Sequence, residues 1–100
     1  MGQKIRQYVF MRRYFFHFRS KDSFERDEIG CVLESSARAL DRALELAMAR
    51  ITDPDRLCDW GKSAFEIEAE DGGEVLILSM ASVLARPDAP TPGSGHRWIG

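Results

Sequence analysis

The side chains with the widest chemical range in this chain are two cysteines and two histidines: Cys31, Cys58, His17 and His96. A thiol nucleophile needs an imidazole beside it, but Cys31 alternates in step with Ile29 and Leu33, which marks it as a small core residue. The same four residues have the right chemistry for zinc, yet no two of them have the close spacing from which zinc sites are built. His17 stands among arginines on a strand, and His96 falls in a Pro/Gly-rich tail. The acids also read as structural. Glu66, Glu68 and Glu70 alternate along a strand as a solvated face, while Asp53 and Asp55 flank Pro54 as a helix cap. Asp71-Gly72-Gly73 is a turn, without the lysine and following helix of a phosphate loop. So small a two-layer domain offers little volume for a concave pocket. The expectation is no catalytic residue, no metal and no cofactor: the chain is not an enzyme.

What remains is binding chemistry. Arg12, Arg13, Arg19 and Lys21 interleave with Tyr14, Phe15 and Phe16, the mixture that neutralises phosphates and stacks bases. Residues 1–21 hold six cations and no acid, so with a net charge of −2 the rest of the chain carries −8. A pI near 5.6 is far from the basic signature of a nucleic-acid binder. A basic strand on an acidic body fits two copies pairing across a two-fold axis better. The expected partner surface is Arg13, Phe15, His17, Arg19, Glu66, Glu68, Val75 and Ile77, used by a homodimer or a protein partner. A nucleic-acid-binding regulator, antitoxin-like and working through the first strand, is the alternative.

These residues need elements to position them. The 100 residues are 44% apolar, with ten aromatics, enough for one core and no second one. No apolar run is long enough to span a bilayer, and without a signal peptide the expected compartment is the cytoplasm, with both thiols reduced. Residues 1–10 read as a flexible extension before an internal Met11, 11–85 as one domain, and 86–100 as a disordered tail holding three of the four prolines. From Arg12 to Arg19 the alternation puts Tyr14, Phe16 and Phe18 on the core face and Arg13, Phe15, His17 and Arg19 on the other. Residues 20–27 make a long connection. A second strand follows, with Ile29, Cys31 and Leu33 on one face and Gly30 marking a bulge or a close backbone approach.

Ser35-Ser36 supplies N-caps for a helix whose apolar stripe is Ala37, Leu40, Leu44, Ala47, Met48 and Ile51. Asp53-Pro54 stops it or opens a short second helix through Leu57. Residues 64–80 form a hairpin about a two-residue turn within Asp71-Gly72-Gly73, placing Phe65, Ile67 and Ala69 beside Leu76, Leu78 and Met80. The fold class is α+β: a two-layer ββαββ domain with one amphipathic helix on a four-stranded antiparallel sheet.

Arg13-Tyr14-Phe15-Phe16-His17, Asp27-Glu28-Ile29-Gly30 and the Ala/Arg-rich helix resemble a family of small alphaproteobacterial proteins known as a domain of unknown function. Its members open on Arg-Tyr-Phe-Phe, pass an Asp-Glu-x-Gly step and close on a hairpin. The resemblance spans about residues 11–82, implies the ββαββ order, and implies no activity. A looser topological likeness to HicB-type antitoxin domains rests on two strands preceding a helix at a Gly-containing step.

Overall fold

Alternation along Arg12–Arg19 builds the central strand β1, which sends Tyr14, Phe16 and Phe18 into the core. A computed structural model describes residues 11–56 and 59–95. The further elements are β2 (Phe24–Glu25), β3 (Cys31–Leu33), α1 (Ser36–Thr52), β4 (Ala64–Ala69), β5 (Val75–Ser79) and α2 (Met80–Leu84), with a 3-10 turn at Trp60–Lys62. All pairings are antiparallel. β1 lies between β4 on one side and both β2 and β3 on the other, and β5 closes the far edge beyond β4. This is the expected α+β sheet with one main helix packed against it.

The stretch 20–27, expected as a connection, carries a short strand of its own, β2. The chain facing β1 on this side is thus divided between β2 and β3, and the sheet has five strands where four were expected. Phe18 pairs with Glu25 and Tyr14 with Cys31, so the three residues 15–17 of β1 face the five residues 26–30. Two extra residues preserve side-chain parity, and Cys31 and Leu33 still turn toward the core. Ile29 does not: it lies in the interruption and is 78% exposed, contrary to its expected place on the core face. Gly30 has φ +74, and a Cβ there would meet the Tyr14 carbonyl oxygen at 2.8 Å. The bulge and the close approach expected of Gly30 occur together.

The hairpin of β4 and β5 has the register of a two-residue turn, pairing Phe65 with Leu78 and Ile67 with Leu76. The connection is wider than that turn. The Ala69 N–H donates to the Glu74 carbonyl, and residues 70–73 form the loop, with Gly72 at φ +73. Phe65, Ile67 and Ala69 are buried on the face expected for them.

Ser35 caps α1, its hydroxyl accepting from the Arg38 N–H at 3.2 Å. The helix meets the sheet through Ala39, Ala43, Ala47 and Ile51, all fully buried. The expected stripe is thus rotated: Ala37 and Leu40 are exposed, while Leu44, Leu46 and Met48 flank the contact. Rings fill much of the interlayer space, Phe18 lying edge-on to both Phe65 (5.0 Å) and Trp60 (6.5 Å). The contact is therefore made by Ala39, Ala43 and Ala47, with Ile51 as its one large side chain in the last turn of the helix.

β5 runs directly into α2, a helix the sequence pattern did not reveal. Ser79 caps it, and Met80 and Val83 are buried on its inner side. After α1, Pro54 begins a turn in which the Asp55 N–H donates to Asp53 Oδ1; Leu57 and Cys58 lie outside the described residues, as do 1–10 and 96–100. Residues 86–95, the described part of the proline-rich tail, carry a series of turns. The Gly93 and Gly95 N–H groups donate to the carbonyls of Ile51 and Thr52, both at 2.7 Å, satisfying acceptors that a helix end leaves open.

Candidate functional site

Strand parity puts the expected surface residues together on the sheet face that α1 does not cover. Successive rows across β1, β4 and β5 read Phe15–Glu68–Val75 and His17–Glu66–Ile77, with Arg13 and Arg19 at the two ends of β1. Their accessibility is uneven. Val75 and Ile77 are 58% and 59% exposed, whereas His17 is 3% exposed and cannot serve as a contact residue. The Phe24 ring lies tilted 5.4 Å from the His17 ring, and the Phe15 ring lies parallel to it at 6.2 Å. The Arg19 guanidinium in turn covers Phe24 at 4.5 Å.

His17 is held by a clasp that the strand interruption builds. The Asp27 N–H donates to His17 Nδ1 at 3.0 Å, so the ring proton sits on Nε2, which donates to Glu68 Oε1 at 3.0 Å. The Asp27 carboxylate accepts from the N–H groups of Phe16 (3.0 Å), Ile29 (3.0 Å) and Gly30 (3.1 Å). Burial acts to raise the Asp27 pKa; the three amides and the nearby His17 outweigh it, and the carboxyl is held below the ordinary aspartate range. Arg13 completes the clasp by donating to the Ile29 carbonyl at 2.9 Å. Asp27 therefore organises backbone that would otherwise have lost its ladder partners, which is a structural task.

The charge complementarity expected between two copies is instead used within one chain. Arg19 pairs with Glu66 and Arg12 with Asp71, across the β1–β4 boundary or at its end, while His17 Nε2 donates a hydrogen bond to Glu68. No arginine of β1 is left without an intramolecular partner.

On the helix side, the interruption opens a groove of about 520 Å³ between α1 and the β2–β3 edge. This is more room than the small two-layer architecture led us to expect. Phe16, Phe18, Leu46 and Ala49 line its apolar part, and Arg26, Arg42, Arg50 and Arg56 supply cations. Arg50 lies over the Phe18 ring at 4.1 Å and grips Glu25 with both terminal nitrogens, at 2.7 and 3.4 Å. Hydrogen bonding from Arg50 holds the Glu25 carboxyl below its ordinary pKa, against the effect of burial. Phe24 had a sequence signal, as the lone aromatic in a polar stretch, and Asp27 had one in its spacing to Gly30. The groove had none, since its wall joins residues far apart in the chain. Among the described residues no group of three or more His, Cys, Asp or Glu could hold a metal ion, and no helix is long and apolar enough to cross a membrane. Cys58 and His96 lie outside the described residues.

With this geometry in view, the chain matches over residues 13–81 a family described as a domain of unknown function (DUF6894). It belongs to that family. The match runs from Arg13 to Ala81 and so takes in the clasp, both sheet faces and the whole of α1. The Arg-Tyr-Phe-Phe and Asp-Glu-x-Gly steps fall inside it, and the second of these is the clasp itself. No curated protein and no solved structure matches the chain.

Proposed function

We propose that this domain is a non-enzymatic interaction module that self-associates through β5. The observation that carries the reading is the open edge of that strand, with Val75 and Ile77 exposed on the uncovered face beside it. The hydrogen bonds from Ala69 N–H to Glu74 and from Met80 N–H to Ser63 set the ladder's parity: residues 74, 76 and 78 bond toward β4. The N–H and C=O groups of Val75 and Ile77 therefore point away from the sheet, and no described strand pairs with them. Such an edge is self-complementary. A second copy brought in antiparallel about a two-fold axis continues the sheet, satisfies those groups and buries four branched side chains together. The nucleic-acid alternative has less support, because the β1 cations are engaged and the face carries Glu66 and Glu68 between them and β5.

Size-exclusion chromatography with light scattering, read at 260 and 280 nm in low and high salt, tests this. A dimer mass for the wild type and a monomer mass for Ile77→Lys, with unchanged circular dichroism, are expected. A wild-type monomer at ~100 μM, roughly where micromolar contacts saturate, or an Ile77→Lys dimer, refutes the reading. A 260 nm excess stripped by salt transfers the function to nucleic acid.

A further inference from the structure

The geometry points to a second binding site on the opposite side of the sheet: the groove between α1 and the β2–β3 edge takes a small organic anion with an apolar body. At about 520 Å³ it has the size of ligand clefts, which run roughly 300–1,000 Å³. Leu46 and Ala49 form its accessible apolar wall, and the almost wholly buried rings of Phe16 and Phe18 lie at its floor.

The charges around it are unbalanced in a definite direction. Three carboxylates line the groove, and each is already engaged. Glu25 is held by Arg50 and Arg56, Asp27 by three backbone amides, and Asp53 by Arg56 and the Asp55 N–H. Four arginines face them, and Arg26 has no hydrogen bond or ion pair among the described residues. Arg42 has only an exposed partner, Glu45, which lies outside the groove. The anion's place is thus beside Arg26 and Arg42, away from the carbonyl-rich end of α1 near Asp53, where the helix dipole disfavours negative charge. A carboxylate or sulfonate there forms a charge-assisted pair with a guanidinium, while a ring or short alkyl body covers Ala49 and Leu46.

Isothermal titration calorimetry of the full chain with 1-anilinonaphthalene-8-sulfonate tests the site. About one molecule per chain is expected to bind. Arg26→Glu, at an exposed and unpartnered position, weakens binding about tenfold or more. Ala49→Trp, at an exposed helix position lining the groove, abolishes it, and Ile77→Lys leaves it unchanged. Thermal melts of the variants confirm the fold. The proposal is overturned by an absence of saturable binding, by binding that Ile77→Lys removes and Ala49→Trp does not, or by a Trp98→Ala chain that binds about tenfold more tightly. The last result would make the chain's own terminal residues the occupant.

Discussion

Replacing Asp27 with alanine removes the acceptor for three backbone amides at one stroke. The Ile29 amide is exposed, so water can replace the carboxylate there at little cost. The Phe16 and Gly30 amides sit in partly buried surroundings opposite the strand interruption and lose their partner outright. An unsatisfied amide of this kind costs about 1–3 kcal/mol, which gives about 2–6 kcal/mol for the pair. That is a large share of the ~5–15 kcal/mol that holds a domain together, and it corresponds to a fall in melting temperature of roughly 10–50 °C at this size. Asp27→Asn retains one oxygen but turns an NH₂ group toward an N–H donor, so it falls between the two, losing about 1–3 kcal/mol. Urea denaturation followed by far-ultraviolet circular dichroism measures each gap. The gap also depends on pH with a fixed sign. The folded state lowers the Asp27 pKa below its unfolded value of about 3.9, so the carboxylate's contribution is complete above that value and is lost as pH falls through the folded pKa. The difference between wild type and Asp27→Ala is therefore constant near neutrality and shrinks in acid below about pH 4. A gap under ~0.5 kcal/mol at pH 7, the ordinary scatter of surface substitutions, or one that widens on acidification, refutes the clasp.

Other perturbations separate the remaining elements. Gly30→Ala and Gly72→Ala share a positive φ, but only Gly30 meets backbone, so their urea midpoints should differ. Gly72→Ala costs about 1 kcal/mol and Gly30→Ala at least about 2 kcal/mol more, and equal losses would show that the close approach to Tyr14 is unimportant. Ala43→Leu forces a branched side chain into the fully buried line between helix and rings, with an expected loss of about 1–3 kcal/mol in the same assay. Leu40→Ala, on the helix's exposed side, should change the midpoint by less than about 0.5 kcal/mol. Ser35→Ala removes the α1 cap and lowers stability by about 1 kcal/mol in thermal melts, with Ser35→Asp restoring it.

The alternating segments were the most legible. In 64–80 a period of two and a turn marked by two glycines together settle the register and both faces. The same logic placed Tyr14, Phe16 and Phe18 correctly. Alternation failed for His17 because its burial depends on Phe24 returning over it from another strand, an event with no trace in the local pattern. In α1 hydrophobicity favoured Leu40, while the contact line belongs to Ala39 and Ala43; what selects alanine there is the bulk of rings on a distant strand. Of the candidate surface, Val75 and Ile77 stand exposed as read, but the basic and acidic residues between them and the other edge are already paired with each other.

The divided strand also governs where the chain can change length. The connections 20–23 and 70–73 lie largely in solvent, and lengthening either costs only about 0.6 kcal/mol for each doubling of the loop. Residues 26–30 have no such freedom, because Asp27, Ile29 and Gly30 each bond or abut a fixed point on β1. One residue added or deleted there would reverse the parity of β3, expelling Cys31 and Leu33 from the core and turning Val32 inward. Insertions, affinity tags and fused peptides therefore belong at the two hairpin tips. The short span from Arg26 to Gly30 works as a ruler whose length the rest of the sheet is built to match.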